Sequence, residues 1–308
     1  MEKKEKYHFI IGMPRAGTTL LSSELNKYED VIGMPESKHV IKMLRNNDYS
    51  LALKQYYDIA FPRLKNKPYT VSDNITNVIS EANNKNIRQN SIALGKCFSF
   101  FNTEKKVNIF IDKNPMYTFH WEKVINEFTE AKFVLMIRNP KAFVNSKVQK
   151  KHNEERMSSP YFFAHVWNNY CKEVFALKKS HPNKVKVVKY EDLVSDKKVF
   201  LDIVSFLGID SKKIEGVEFR ENYKNLISDE MTERHKTKFT DLSKPVNQVR
   251  VNAYKDKMSA TMLARIESIC AKNMLPLGYK KEYKKATLFI PNIPYLLLGK
   301  LHYKRAKK

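Results

Sequence analysis

The chain is 308 residues long, 42% hydrophobic and 12% aromatic, which supplies the core of one large α/β domain or two small ones and excludes global disorder. Its 56 Lys+Arg against 33 Asp+Glu leave a net charge of +23, a surplus that concentrates anionic ligands, nucleic acid or anionic membrane around it. The charges are scattered, with Lys-rich patches near both termini and no RRM or KH signature, so no nucleic-acid partner is expected and nucleic-acid binding is only a runner-up.

Cys97, Cys171 and Cys270 stand far apart, without a C-x-x-C pair or a Cys/His cluster. That pattern argues against a disulfide framework and a zinc site and fits a reducing cytosol. Met1 to Lys6 is too short and too charged for a signal peptide, and no apolar run reaches bilayer length. A cytoplasmic protein is the expectation.

In chain order, Tyr7 to Ile11 reads as a short apolar strand, Gly12 to Gly17 as a Gly/Pro-punctuated turn, and the residues from about Thr18 as a helix. A strand feeding a helix through a glycine turn presents backbone N–H groups and the positive helix end at one point, which attracts phosphate. The stretch nearly fits the nucleotide-triphosphatase pattern G-x-x-x-x-G-K-[ST], but Thr18 stands where the pattern needs lysine. That lysine holds the β- and γ-phosphates, so a P-loop nucleotide kinase is only a runner-up. Arg15 brings a planar, bidentate cation suited to a phosphosulfate; the alternative is an ordinary β–α turn with a surface arginine.

The first helix runs to about Tyr28, with Leu20, Leu21 and Leu25 inward. Val31 to Gly33 is a short extended segment leading to the polar Glu36-Ser37-Lys38-His39. From Val40 to Asn108 the chain is polar and helix-like, and Tyr56, Tyr57, Phe61 and Tyr69 either line an acceptor cleft or belong to the core. Asn108 to Ile111 reads as a second buried strand. Lys113 follows at its carboxyl end before a proline turn, where α/β sheets bind ligands; a surface lysine capping a loop is the alternative.

A helix is expected over His120 to Thr129. Phe133 to Ile137 is a buried, parallel-type strand with Arg138 at its carboxyl end; Asn139 caps and Pro140 opens the next helix. Ser146 and Lys150 lie four apart on that helix, share a face, and converge with Arg138 on one anion. Further helices are expected over 161–179, 196–207 and 259–273, a strand over 185–188, and a loop-rich stretch over 214–240. The segment 287–299 is apolar and precedes a Lys/Arg-rich end. Pro291 and Pro294 argue against one continuous helix there, and the segment is too short to span a bilayer. It is suited to packing on the domain or a second subunit, or to lying at an anionic membrane surface.

Pro14-Arg15-Ala16-Gly17-Thr18-Thr19 resembles the P-x-x-G-T-T phosphosulfate loop of sulfotransferases that use 3′-phosphoadenosine 5′-phosphosulfate (PAPS). The arginine in it resembles the tyrosylprotein-sulfotransferase branch and its bacterial relatives. The resemblance implies that Arg15, Ala16, Gly17, Thr18 and Thr19 hold the phosphosulfate. Lys113-Asn114-Pro115 matches the family's K-x-P, implying that Lys113 neutralises charge on the leaving oxygen. Glu36 stands where tyrosylprotein-type enzymes keep the glutamate that takes the acceptor's proton. His39 is the competing base, because other branches use histidine.

Arg138 with Ser146 eight residues on resembles the family's 3′-phosphate site, and Lys150 fits the basic residue one turn later. Tyr190, in Tyr190-Glu191-Asp192-Leu193, resembles a tyrosine that lies near the adenine; packing beneath the sheet is its other reading. Lys244-Pro245-Val246-Asn247 resembles a segment that folds back over the nucleotide, which makes Lys244 a nucleotide contact. The resemblance covers about Tyr7 to Tyr279.

It implies an α/β, P-loop-like three-layer fold with a central, mostly parallel sheet and helices on both faces. A sulfotransferase domain over 1–284 and an apolar, basic C-terminal tail over 285–308 are expected. The implied activity moves a sulfuryl group from PAPS, without a metal, to a hydroxyl of a saccharide or lipid-linked glycan ahead of a peptide tyrosine. The expected location is cytoplasmic, with peripheral contact at the inner face of the membrane through the tail. A homodimer is the default oligomer.

Overall fold

A computed structural model describes residues 4–34, 36, 38–55, 70–71, 75–99, 107–149, 159–212, 249–283 and 292–308. Tyr56, Tyr57, Phe61, Tyr69, Lys150, Lys244 and the stretch 214–240 lie outside the described residues. Among the described residues the strands are β1 (Lys6–Gly12), β2 (Val31–Gly33), β3 (Thr70–Val71), β4 (Phe98–Ser99), β5 (Ile109–Lys113), β6 (Phe133–Ile137) and β7 (Val185–Lys189). Five form a parallel sheet in the order β2-β5-β1-β6-β7, flanked by helices, and β3 pairs antiparallel with β4. β5 and β6 are buried at every residue, which is why they read as unbroken apolar runs rather than alternating ones. Asp112 and Lys113 are the polar exceptions in β5.

By internal contacts the chain divides into two compact units. The first draws on Met1–Ile11, Thr18–Val134 and Lys198–Val246. Here β5 pairs in parallel with β1, Lys6 opposite Ile109, and with β2, Gly33 opposite Ile111. Phe9 stacks on Phe133 at 5.2 Å and meets Phe128 edge-on at 4.9 Å, an aromatic core beside the sheet. Its helices are α1 (Thr18–Leu25), α2 (His39–Arg45), α3 (Ile75–Ser80), α4 (Ile87–Cys97), α5 (Trp121–Glu127) and, later in the chain, one over Lys197–Leu207.

The second unit draws on Gly12–Gly17, Leu135–Lys197 and Asn247–Lys308. Its helices are α6 (Pro140–Gln149), α7 (Pro160–Ser180), α8 (Tyr190–Ser195), α9 (the Lys197–Leu207 helix, shared only at its first residue), α10 (Val249–Asn252), α11 (Ala260–Met274) and α12 (Asn292–Lys307). The caps are the ones the residue types dictate. Asn139 Oδ1 accepts from the backbone N of Lys141 at 2.9 Å, and Ser259 Oγ accepts from Met262 N at 3.3 Å.

Lys141 is wholly buried. Its ammonium pairs with Glu267 and, at 3.2 Å, with Glu282, and lies 5.2 Å from the ring centres of both Tyr254 and Tyr283. Glu267 also accepts from the backbone N of Glu282 and Tyr283, so the carboxylate is fully used.

The tail is described from Asn292 onward, and 287–291 lie outside the described residues. Asn292 to Lys307 is one helix and includes Pro294. Pro294 sits in the first turn, where its missing N–H would have had no intrahelical partner, so the ring costs nothing there. α12 packs on α7 through a hydrogen bond from Asn169 Nδ2 to Gly299 O at 2.9 Å.

Candidate active site: a phosphate loop and a lysine–glutamate pair

The loop after β1 is built by close backbone approach. Gly12 has φ 105°, and a Cβ there would lie 2.2 Å from the carbonyl oxygen of Met136, so only glycine fits. Met13 N donates to that same oxygen at 2.8 Å, and Ala16 N to Met13 O at 3.3 Å closes the turn. Arg15 adopts φ 66°, a left-handed backbone unusual for a side-chain-bearing residue. α1 begins at Thr18, so the first-turn N–H groups at Thr18 and Thr19 have no acceptor within the helix. Their orientation and the helix dipole favour an anion.

Three residues brace Arg15 and its surroundings. Arg15 Nε donates to Ser146 Oγ at 3.1 Å. Arg138 Nη1 donates to the carbonyl of Arg15 at 2.8 Å and Nη2 to that of Arg250 at 2.6 Å, while Trp167 Nε1 donates to the carbonyl of Arg138 at 2.8 Å. The Arg138 guanidinium lies 4.5 Å from the ring centre of Tyr190. Burial lowers its pKa, with Tyr190 and Glu191 pulling the other way; guanidinium stays charged regardless. Its Nε is buried and has no hydrogen-bond partner, a donor aimed at nothing the protein supplies.

Arg15, Ala16, Gly17, Arg138, Ser146 and Tyr190 therefore fall in one cluster of the second unit. Tyr190 does so by packing. It is buried, a Cβ on Gly17 would lie 2.7 Å from its ring, and Arg138 occupies its face. Sequence reasoning missed the role of Glu191. Its carboxylate accepts from Asn139 N at 2.9 Å and from the Tyr279 hydroxyl at 3.0 Å, fixing the turn that carries Arg138. The signal available was its place beside Tyr190, an acidic residue in the first turn of α8.

In the first unit, Lys113 and Glu36 form an ion pair. The register explains it. Gly33 lies opposite Ile111, so chain leaving β2 and chain ending β5 emerge at the same edge. The Lys113 side chain is 4% exposed and that of Glu36 46%, so the cation is walled in and the carboxylate faces outward. Beneath them, Asp112 Oδ2 accepts from the Tyr7 hydroxyl at 3.2 Å and the Tyr117 hydroxyl at 2.9 Å. Burial pushes Asp112 up to about 7 against those hydrogen bonds.

His39 belongs to this buried layer. It is wholly enclosed, its Nε2 lies 3.2 Å from Ser91 Oγ, and burial pulls it down to about 3. A ring so placed is closed to an incoming acceptor, which separates it from Glu36. Among the described residues no group of His, Cys, Asp and Glu is placed to hold a metal ion.

The family model described as the sulfotransferase family matches residues 8–213. The chain belongs to that family. Two solved sulfotransferase domains share its fold. One comes from the Synechococcus PCC 7002 olefin synthase, at 20% identity and a TM-score of 0.60, covering 91% of this chain and 97% of that one. The other comes from the curacin biosynthetic pathway, at 18% identity and a TM-score of 0.59, covering 91% and 99%. No curated protein matches the chain. In this sulfotransferase the matched residues include Arg15, Glu36, Lys113, Arg138, Ser146 and Tyr190, while Arg250 and Tyr279 lie beyond them.

Proposed function

We propose that this sulfotransferase uses PAPS as donor and a hydroxyl of a saccharide or lipid-linked glycan as acceptor. One observation carries the donor reading: an arginine in a left-handed loop conformation, held by Ser146 and Arg138, with a buried and unpartnered donor at Arg138 Nε. These residues fit a ligand bearing two separate anionic groups. PAPS supplies an activated sulfuryl group on a phosphate leaving group. Arg15 and the amides of Gly17, Thr18 and Thr19 would hold the phosphosulfate, and Arg138, Ser146 and Lys150 the 3′-phosphate. Tyr190 contributes by backing Arg138, and Lys244 is assigned a nucleotide contact.

Glu36 is assigned as the base. Its carboxylate takes the acceptor's proton, and the exposed position of its side chain suits that exchange. Lys113 neutralises the charge that grows on the leaving oxygen, and its near-complete burial strengthens that interaction by excluding water. The pair bond between them holds both side chains ready before substrate enters.

The assignment covers a catalytic domain over 1–284, followed by the 285–308 tail, in a cytoplasmic setting. Cys97, Cys171 and Cys270 are all buried and lie far apart in sequence, which supports a reducing compartment. The acceptor reading rests on the motifs being donor-side and shared with glycan-modifying relatives. The decisive test incubates the purified chain with radiolabelled PAPS and a panel of oligosaccharides, lipid-linked glycans and tyrosine peptides. Label on glycan hydroxyls supports the reading; label on tyrosine alone moves the assignment to protein-tyrosine sulfation. Transfer from labelled ATP in place of PAPS would replace it with a kinase.

A further inference from the structure

Helix α12 takes no part in the chemistry above, yet its placement is specific. Its inner side is tied to α7: His165 Nε2 lies 3.0 Å from Asn292 Oδ1, and Tyr303 and Lys307 both hold Glu173. A Cβ on Gly299 would already sit 2.6 Å from the Cβ of His165, so the two helices touch. With that side fixed, helical periodicity decides what looks outward.

Ile293, Leu297 and Leu301 recur every four residues and are 61%, 54% and 50% exposed. Leu296 and Leu298 border them. These five make up most of the large apolar side chains exposed on the described residues, so they form a patch rather than the scatter normal on a protein surface. By helical angle Lys300 and Arg305 flank the line on either side and Lys304 extends it, all three exposed.

We propose that this outward face of α12 docks on an anionic lipid bilayer. The leucine line enters the headgroup–acyl boundary while the flanking cations meet lipid phosphates. The charge selects the occupant. A second copy meeting this face across a two-fold axis would bring the same cations against one another. A convex row of leucines also suits a deformable layer better than a rigid partner, which would need a matching groove. No helix among the described residues is long and apolar enough to cross a membrane, so the contact is peripheral.

The test is co-sedimentation of the full chain with phosphatidylcholine vesicles, with and without phosphatidylglycerol. Binding is expected only with the anionic lipid and is expected to weaken as salt rises. Leu297→Glu/Leu301→Glu and Lys300→Glu/Lys304→Glu should each reduce partitioning by about tenfold or more, with circular dichroism and melting unchanged because all four positions are exposed. Three results would overturn the proposal. They are no binding to anionic vesicles, equal binding by the native chain and both variants, and a native dimer that the leucine substitutions dissociate without any lipid binding.

Discussion

Arg15 Nε and Ser146 Oγ lie 3.1 Å apart, so the loop arginine is already restrained by the α6 serine. A side chain with many rotamers is thus fixed before a ligand arrives, which saves ordering cost on binding. Replacing Ser146 with Ala should weaken binding of the desulfated nucleotide several-fold by calorimetry. Replacing Arg15 with Ala should instead lower turnover by about a hundredfold with a smaller change in that affinity. Equal affinity and turnover in native and Arg15→Ala protein would remove the arginine from the site.

Arg138 ties two carbonyls and a ring together, so its loss has a structural cost as well as a functional one. Arg138→Ala removes two charge-assisted hydrogen bonds to backbone carbonyls together with the contact on Tyr190, and should cost roughly 2 kcal/mol in urea unfolding. Nucleotide affinity should fall more than tenfold. Arg138→Lys should not restore either quantity, because an ammonium cannot serve two divergent carbonyls with the geometry of a planar fork.

For the ion pair, Lys113→Ala and Glu36→Gln should each lower kcat by about 10² to 10³ while KM for the donor moves little. His39→Gln should leave kcat within a few-fold, since the ring is wholly enclosed. A kcat loss in His39→Gln as large as that in Glu36→Gln would return the histidine to the role of base.

Stability should fall on mild acidification. Burial holds His8 at about 4 and His39 at about 3, below the usual 6.5 of an unfolded histidine. Below pH 6.5 the unfolded chain therefore binds protons that the folded one refuses, and stability drops as pH falls toward those values. Asp112 acts in the opposite sense. Raised to about 7, it contributes fully below 3.8 and loses that contribution as pH rises through 7. Urea midpoints compared at pH 7 and about pH 5 should show a net loss in the native chain. The loss should shrink in His39→Gln and steepen in Asp112→Asn; identical profiles for all three would contradict both assignments.

The local code carried much of this. The glycine turn, the proline opening α6, the Ser259 cap and the apolar run of β6 each act within a few residues, so spacing alone reveals them. What escaped depends on pairings distant in sequence. Tyr7 reaches Asp112 only because β1 and β5 are neighbours, and nothing around His39 in the sequence says that Ser91 closes over it. The partnership of Glu36 with Lys113 is likewise a product of strand register, which decides that the carboxylate meets this lysine. Pro294 lies within a helix because a proline's effect depends on its position there, and it stands in the first turn.

Lys141 carries a practical consequence. In a chain so rich in surface amines, this one is walled in by two carboxylates and two tyrosine rings. An acylating reagent that labels the others promptly has to wait for this region to open. Its labelling rate, followed by mass spectrometry, would be a built-in clock for how often the fold breathes.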